Sequence, residues 1–183
     1  MAIVRKTSRD APNTPQATSG LNGLEDVRAK AKAQGLYYFP LPIERIIAQY
    51  GIRVVYDSEM DDTLSGYIEY AQPNQWTIGV NQYHSTRRQR FTLAHELGHY
   101  ILHREQIMRQ GRLEDSILLR DGDSTDIEVQ ANHFAGQLLV PTANLLEAVN
   151  KGKRSVADLA EAFEASIAAI RCRAHQEGIL RRV

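Results

Sequence analysis

The chain has 183 residues, 43% of them apolar and 24% charged, with 22 Lys and Arg balanced by 22 Asp and Glu. That is enough chain and apolar content for one domain with a real core, and zero formal net charge excludes a global field steering it to nucleic acid or a membrane surface. A single cysteine, Cys172, excludes an internal disulfide and suits a reducing compartment. The N-terminus has no apolar signal segment and no run reaches the ~20 apolar residues of a span, so a cytoplasmic protein with no membrane partner is expected.

Residues 1–22, rich in Ser, Thr, Pro, Asn and Gly, predict a flexible segment. LEDVRAKAKAQ from Leu24 reads as a helix stopped by Gly35, and PIERIIAQYG as a helix opened by Pro42 and stopped by Gly51. IRVVYD is a short β-branched strand. SGYIEY and QWTIGVN are two more, joined through AQPN as a hairpin. A helix follows over about 86–103 with Ser85 as N-cap. Residues 104–123 read as a charged loop with a helical turn. Helices over 125–139, capped by Ser124 or Thr125, and over about 142–150 come next, and SVADLAEAFEAS and IAAIRCRAHQEG close the chain as a helical pair. The order predicts an α+β fold, a three-stranded β-meander packed on helices. Its main domain spans 23–150, and residues 151–183 form a C-terminal helical, helix-turn-helix-like extension packed on it.

The stretch FTLAHELGHYILH carries the chemistry. His95 and His99 are one turn apart on one helical face, where two imidazoles can share a metal ion. Glu96 sits at the edge of that face, able to reach a water activated by the metal. This is the mechanical content of HExxH, two zinc ligands and a general base. Phe91, Leu93, Ala94, Leu97, Gly98, Ile101 and Leu102 wrap the helix almost completely, so it is internal. Gly98 implies close approach of another element, since glycine costs about 1 kcal/mol in a helix. Burial also raises the alternative that the histidines are satisfied core residues, but an unpaired buried imidazole costs too much for that to be free.

Catalytic zinc usually takes three protein ligands. His103, eight residues from His95 and about 12 Å along the axis, cannot join the same ion and is expected nearby or at the surface. The metzincin pattern fails at Leu102 and Glu105. In DIEVQANHFAGQLLVP, Glu128 and Asn132 lie on one shoulder of the apolar stripe Ile127, Ala131, Phe134 and Leu138, with small Ala131 and Ala135 beside them. Periodicity leaves Glu128 open between a ligand and a surface acid of a first turn. Asn132 there would orient a ligating histidine. Asp121, Asp123 and Asp126 compete, in the loop or at the helix start.

RQRFTLAHELGHYILH and EVQANHFAGQLLVP together resemble the ImmA/IrrE family of zinc metallopeptidases. The resemblance runs from about Pro42 to Leu180 and extends to the hairpin. It implies a small gluzincin-like domain with His95, His99 and Glu128 as zinc ligands and Glu96 as general base, although Mn²⁺ or Fe²⁺ also suits a His₂Glu site. Gln130 departs from the family, whose members often carry a second glutamate there. Tyr67, Tyr83 and His84 are the candidates to stabilise the oxyanion; His133, about 140° round the helix from Glu128, is a poor one. On the hairpin itself two readings stay open: an exposed edge that pairs with an extended substrate, or core sheet alone.

The resemblance further implies an endopeptidase acting on a helix-turn-helix repressor of the Xre type. The alternative is a toxin neutralised by an Xre-type antitoxin, and the third reading is a DNA-binding or scaffold protein with a structural metal. An intact HExxH favours hydrolysis, because a structural zinc site has no use for Glu96. Arg171 and Arg173 in the last helix would meet phosphates, but the mild charge and the turn without glycine disfavour direct DNA binding.

Overall fold

The computed structural model describes residues 17–72, 74–116, 126–153 and 155–179. Among them are eight helices, α1 (Ala17–Ala33), α2 (Ile43–Ala48), α3 (Thr86–Leu102), α4 (Arg104–Gln110), α5 (Asp126–Leu139), α6 (Thr142–Asn150), α7 (Val156–Ala162) and α8 (Ile167–Gln176), and four strands, β1 (Ile52–Asp57), β2 (Leu64–Gln72), β3 (Gln75–Asn81) and β4 (Arg112–Ser116). The α+β class follows the sequence pattern. Residues 1–16 of the expected flexible segment, and the expected caps Ser124 and Thr125, lie outside the described residues. Helix α1 starts at Ala17, more than a turn before Leu24.

The sheet differs from the expected three-stranded meander. Its order is β1-β3-β2-β4. Strands β2 and β3 form the predicted antiparallel hairpin, and Asn74 in its turn takes a left-handed φ of 65°. Strand β1 pairs with β3 rather than β2, in parallel, from Ile52 opposite Trp76 to Asp57 opposite Asn81. The fourth strand lies in the stretch read as a loop. Arg112, Leu113, Glu114 and Asp115 stand opposite Glu69, Ile68, Tyr67 and Gly66. Only Leu113 offers an apolar signal there, and charged residues such as Arg112 and Glu114 are how an exposed edge strand resists further pairing. The hairpin therefore has no free edge: β1 covers one side and β4 the other.

Alternation along the strands puts Ile52, Ile68, Trp76, Ile78 and Val80 on one face, all buried. Helix α3 lies across that face, with Tyr100 edge-on to Trp76 at 4.9 Å between ring centroids. Residues 92 to 100 of α3 are buried without a break, as expected of a helix apolar on all sides. Helix α5 packs against its other flank. Helices α7 and α8 share the same core through Leu159, Phe163 and Ile170, and Phe163 meets Phe39 edge-on at 5.5 Å. Among the described residues, no helix is long and apolar enough to cross a membrane.

Candidate metal centre

Two helices distant in sequence build the site, and small residues let them meet. A Cβ on Gly98 would lie 3.0 Å from Phe134 Cδ1 and 3.3 Å from Phe134 Cβ, so glycine is needed for α5 to seat its phenylalanine on α3. Ala131 and Ala135 are fully buried beside it. The approach brings Glu128 over the histidine pair. Its Oε2 is 3.2 Å from His95 Nε2, its Oε1 is 3.2 Å from His99 Nε2, and the two imidazole nitrogens are 2.9 Å apart. The histidines are each 1% exposed and Glu128 7%. Asp126, a competing acid, is exposed at the start of α5; Asp121 and Asp123 lie outside the described residues.

The outer hydrogen bonds decide where the protons are. His95 Nδ1 is 3.1 Å from Asn132 Oδ1 and His103 Nε2 is 3.2 Å from Gln130 Oε1. Both amide oxygens only accept, so both of these ring nitrogens donate. A neutral His103 then has a bare Nδ1, which lies 3.0 Å from His99 Nδ1. His99 Nδ1 must donate to it. The consequence is that His95 and His99 both turn an unprotonated Nε2 inward, toward an ionised carboxylate. Three lone-pair groups converge with no proton among them, which is repulsive unless a cation is shared. Ligand bonds of 2.0–2.1 Å in a tetrahedral shell place donors about 3.3 Å apart, close to the spacing here. The donor set fits a divalent metal of the zinc type.

The electrostatics agree. Burial pushes the Glu128 carboxyl up, but protons on His95 and His99 Nε2 would outweigh it and hold the group well below the usual carboxylate range; with both Nε2 atoms bare, a shared cation takes that part. Burial depresses both His99 and His103, favouring the neutral rings that the hydrogen-bond chain requires. Glu96 is different. It is fully buried, neither carboxylate oxygen has a hydrogen-bond partner, and burial first, then the charges of Asp115 and Glu128, push its pKa well above the ordinary value of 4.5.

Several expected positions look different in three dimensions. His103 is buried, as the relay between His99 and Gln130, so Gln130 serves as the acceptor for that relay. Tyr67 is not at the site. Its neighbour Gly66 faces α3, so alternation sends Tyr67 to the opposite sheet face, where it lies over Gly79 with Arg112 3.6 Å above its ring. Tyr83 is 68% exposed in the turn after β3, and His84 is half-buried beside it. His133 is exposed and meets Gln137. Arg173 is buried and engages Val140 O and Thr142 Oγ1, with Glu177 2.9 Å away, which removes it from any contact with phosphate.

Two residues escaped the sequence reading. Asp115, 5% exposed on β4, brings a carboxylate within 4.8 Å of donor atoms of His95 and Glu96; in the charged run 104–123 nothing distinguished it. Gly66 leaves the space for α3, since a Cβ there would meet Thr92 Cγ2 at 2.4 Å and Glu96 Oε1 at 3.5 Å. A glycine inside a strand pattern was the available signal.

The family model described as the IrrE N-terminal-like domain, Peptidase_M78, matches residues 47–175. No curated protein matches. Among solved structures, a Mycobacterium tuberculosis transcriptional regulator is similar with a TM-score of 0.57 and 18% identity, over 83% of this chain and 46% of that one. The likeness is one of fold, and this chain spans under half of that protein. With the family model covering well over half of the sequence, from the end of α2 to α8, the chain belongs to the ImmA/IrrE family.

Proposed function

We propose that the protein is a zinc-dependent endopeptidase whose substrate is a helix-turn-helix repressor of the Xre type in the cytoplasm. The observation that carries the hydrolytic reading is the pairing of three converging lone-pair donors with an unpartnered, fully buried carboxylate next to them. His95 Nε2, His99 Nε2 and the Glu128 carboxylate would hold the ion, with Zn²⁺ favoured and Mn²⁺ or Fe²⁺ compatible. A metal held there supplies Lewis-acid polarisation of the scissile carbonyl and lowers the pKa of a water to about 7.

The chain's own residues do the rest. Asn132 and the His103–Gln130 relay fix both imidazoles with their Nδ1 protons outward. Glu96, held beside them with free oxygens, takes the proton from the attacking water and returns it to the leaving amine.

The test is co-expression with a helix-turn-helix protein of the Xre type from the same genome, followed by intact masses for wild type and Glu96→Gln. A discrete cut with wild type alone is the expected result. A stable, uncut complex in both would replace this reading with that of a toxin neutralised by binding an antitoxin.

A further inference from the structure

A groove of about 680 Å³ runs between the start of α3, the middle of α5 and α8. Phe91, Val129, Ala169 and Cys172 give it apolar or small walls. Val129 is 53% exposed, and Ile167 nearby on α8 is 45% exposed.

Two observations say what the groove receives. The first is continuity. Phe91 and Asn132 line it, and the same two residues flank His95. Asn132 accepts its Nδ1 proton, and the Phe91 ring lies 6.5 Å from the imidazole. A chain seated in the groove therefore lies against the outer, Nδ1 side of His95, one imidazole away from the inward Nε2 atoms. The second is charge. Arg87, Arg88 and His133 line it and no Asp or Glu does, in a molecule whose net charge is zero. Arg173, on the α8 side, is taken up by Glu177. Arg87 is exposed and has no ion pair among the described residues.

We infer that this groove binds the substrate polypeptide on one side of the scissile bond. It selects a segment whose apolar side chains pack on Phe91 and Val129 and whose carboxylate meets Arg87. The inference rests on the peptidase reading for its purpose, but not for its test. Apolar walls and so few cations favour an acidic peptide over nucleic acid, whose binding is dominated by many phosphate contacts.

The probes are short synthetic peptides with one leucine spacing, made in a glutamate and a lysine version and carrying a fluorophore. Fluorescence anisotropy is read on the full-length Glu96→Gln chain loaded with zinc. The glutamate peptide should bind saturably and the lysine peptide should not. Val129→Asp, Arg87→Glu and alkylation of Cys172, the only cysteine, with a bulky maleimide should each weaken binding about tenfold, with zinc content unchanged. All three positions are exposed, so folding is not at stake. Equal binding of both peptides, no binding of the acidic one, indifference to all three changes, or displacement by a short DNA duplex would each overturn the inference. Cleavage by the wild type is scored separately. Groove binding without any cleavage would sink the peptidase reading alone, and cleavage indifferent to the groove would sink this inference alone.

Discussion

At the scale of single residues, the protonation pattern makes each donor accountable. Among the described residues Glu128 is the only carboxylate facing both inward nitrogens, so Glu128→Ala should leave two imidazoles and too weak a site. Zinc content after dialysis should fall from about one per chain to near none, and full occupancy in that variant would remove Glu128 as a ligand. Glu96 makes a prediction about stability. Between the ordinary pKa of 4.5 and its raised folded value, the folded state holds a proton that the unfolded state has released. The contribution of Glu96 to the stability of the metal-free protein therefore falls as pH rises through that window, against the rise from the depressed His99 and His103. Glu96→Gln removes the titration, so the metal-free variant should be more stable than wild type near neutral pH and equal to it below pH 4.5. Urea denaturation of chelator-treated protein at the two pH values reads this directly, and the absence of a gap at neutral pH would contradict the burial of Glu96.

At the scale of elements, the packing of α3 on the sheet depends on missing side chains. Gly66→Ala forces a methyl group against Thr92 and Gly79 O. It should destabilise the fold by about 1–3 kcal/mol as measured by denaturation, and it should reduce cleavage beyond that by displacing Glu96. What the sequence revealed at this level follows from periodicity. Histidines one turn apart on a fully apolar helix left α3 little freedom, and the stripe on α5 put Glu128 and Asn132 on the correct shoulder. Strand β4 was illegible because RLEDS has one apolar inward residue and an acid, Asp115, where the pattern calls for a second. The pairing of β1 with β3 was equally hidden, since three consecutive strands do not reveal which edge the first one joins. Tyr67 was misplaced for a related reason. A tyrosine beside a strand glycine does not show which face points toward the helix.

At the scale of the whole molecule, Arg173 ties the C-terminal pair to the half that carries the candidate metal centre. Its guanidinium bonds Val140 O and Thr142 Oγ1 at the α5–α6 junction and pairs with Glu177 on its own side. Arg173→Ala should cost about 2–3 kcal/mol, because a buried charge-assisted network loses its donor. Lysine should not restore it, lacking the planar fork. Thermal unfolding of both variants checks this, and a neutral alanine variant would show that α8 is held by its apolar face alone.

The division of the donors between α3 and α5 also sets an order of events during synthesis. The two imidazoles leave the ribosome before Glu128 does, so a nascent chain would offer a metal two of the three donors. Tight capture has to wait until α5 has emerged and Phe134 has seated on Gly98. On the peptidase reading, a newly made molecule would be inert until both helices have met.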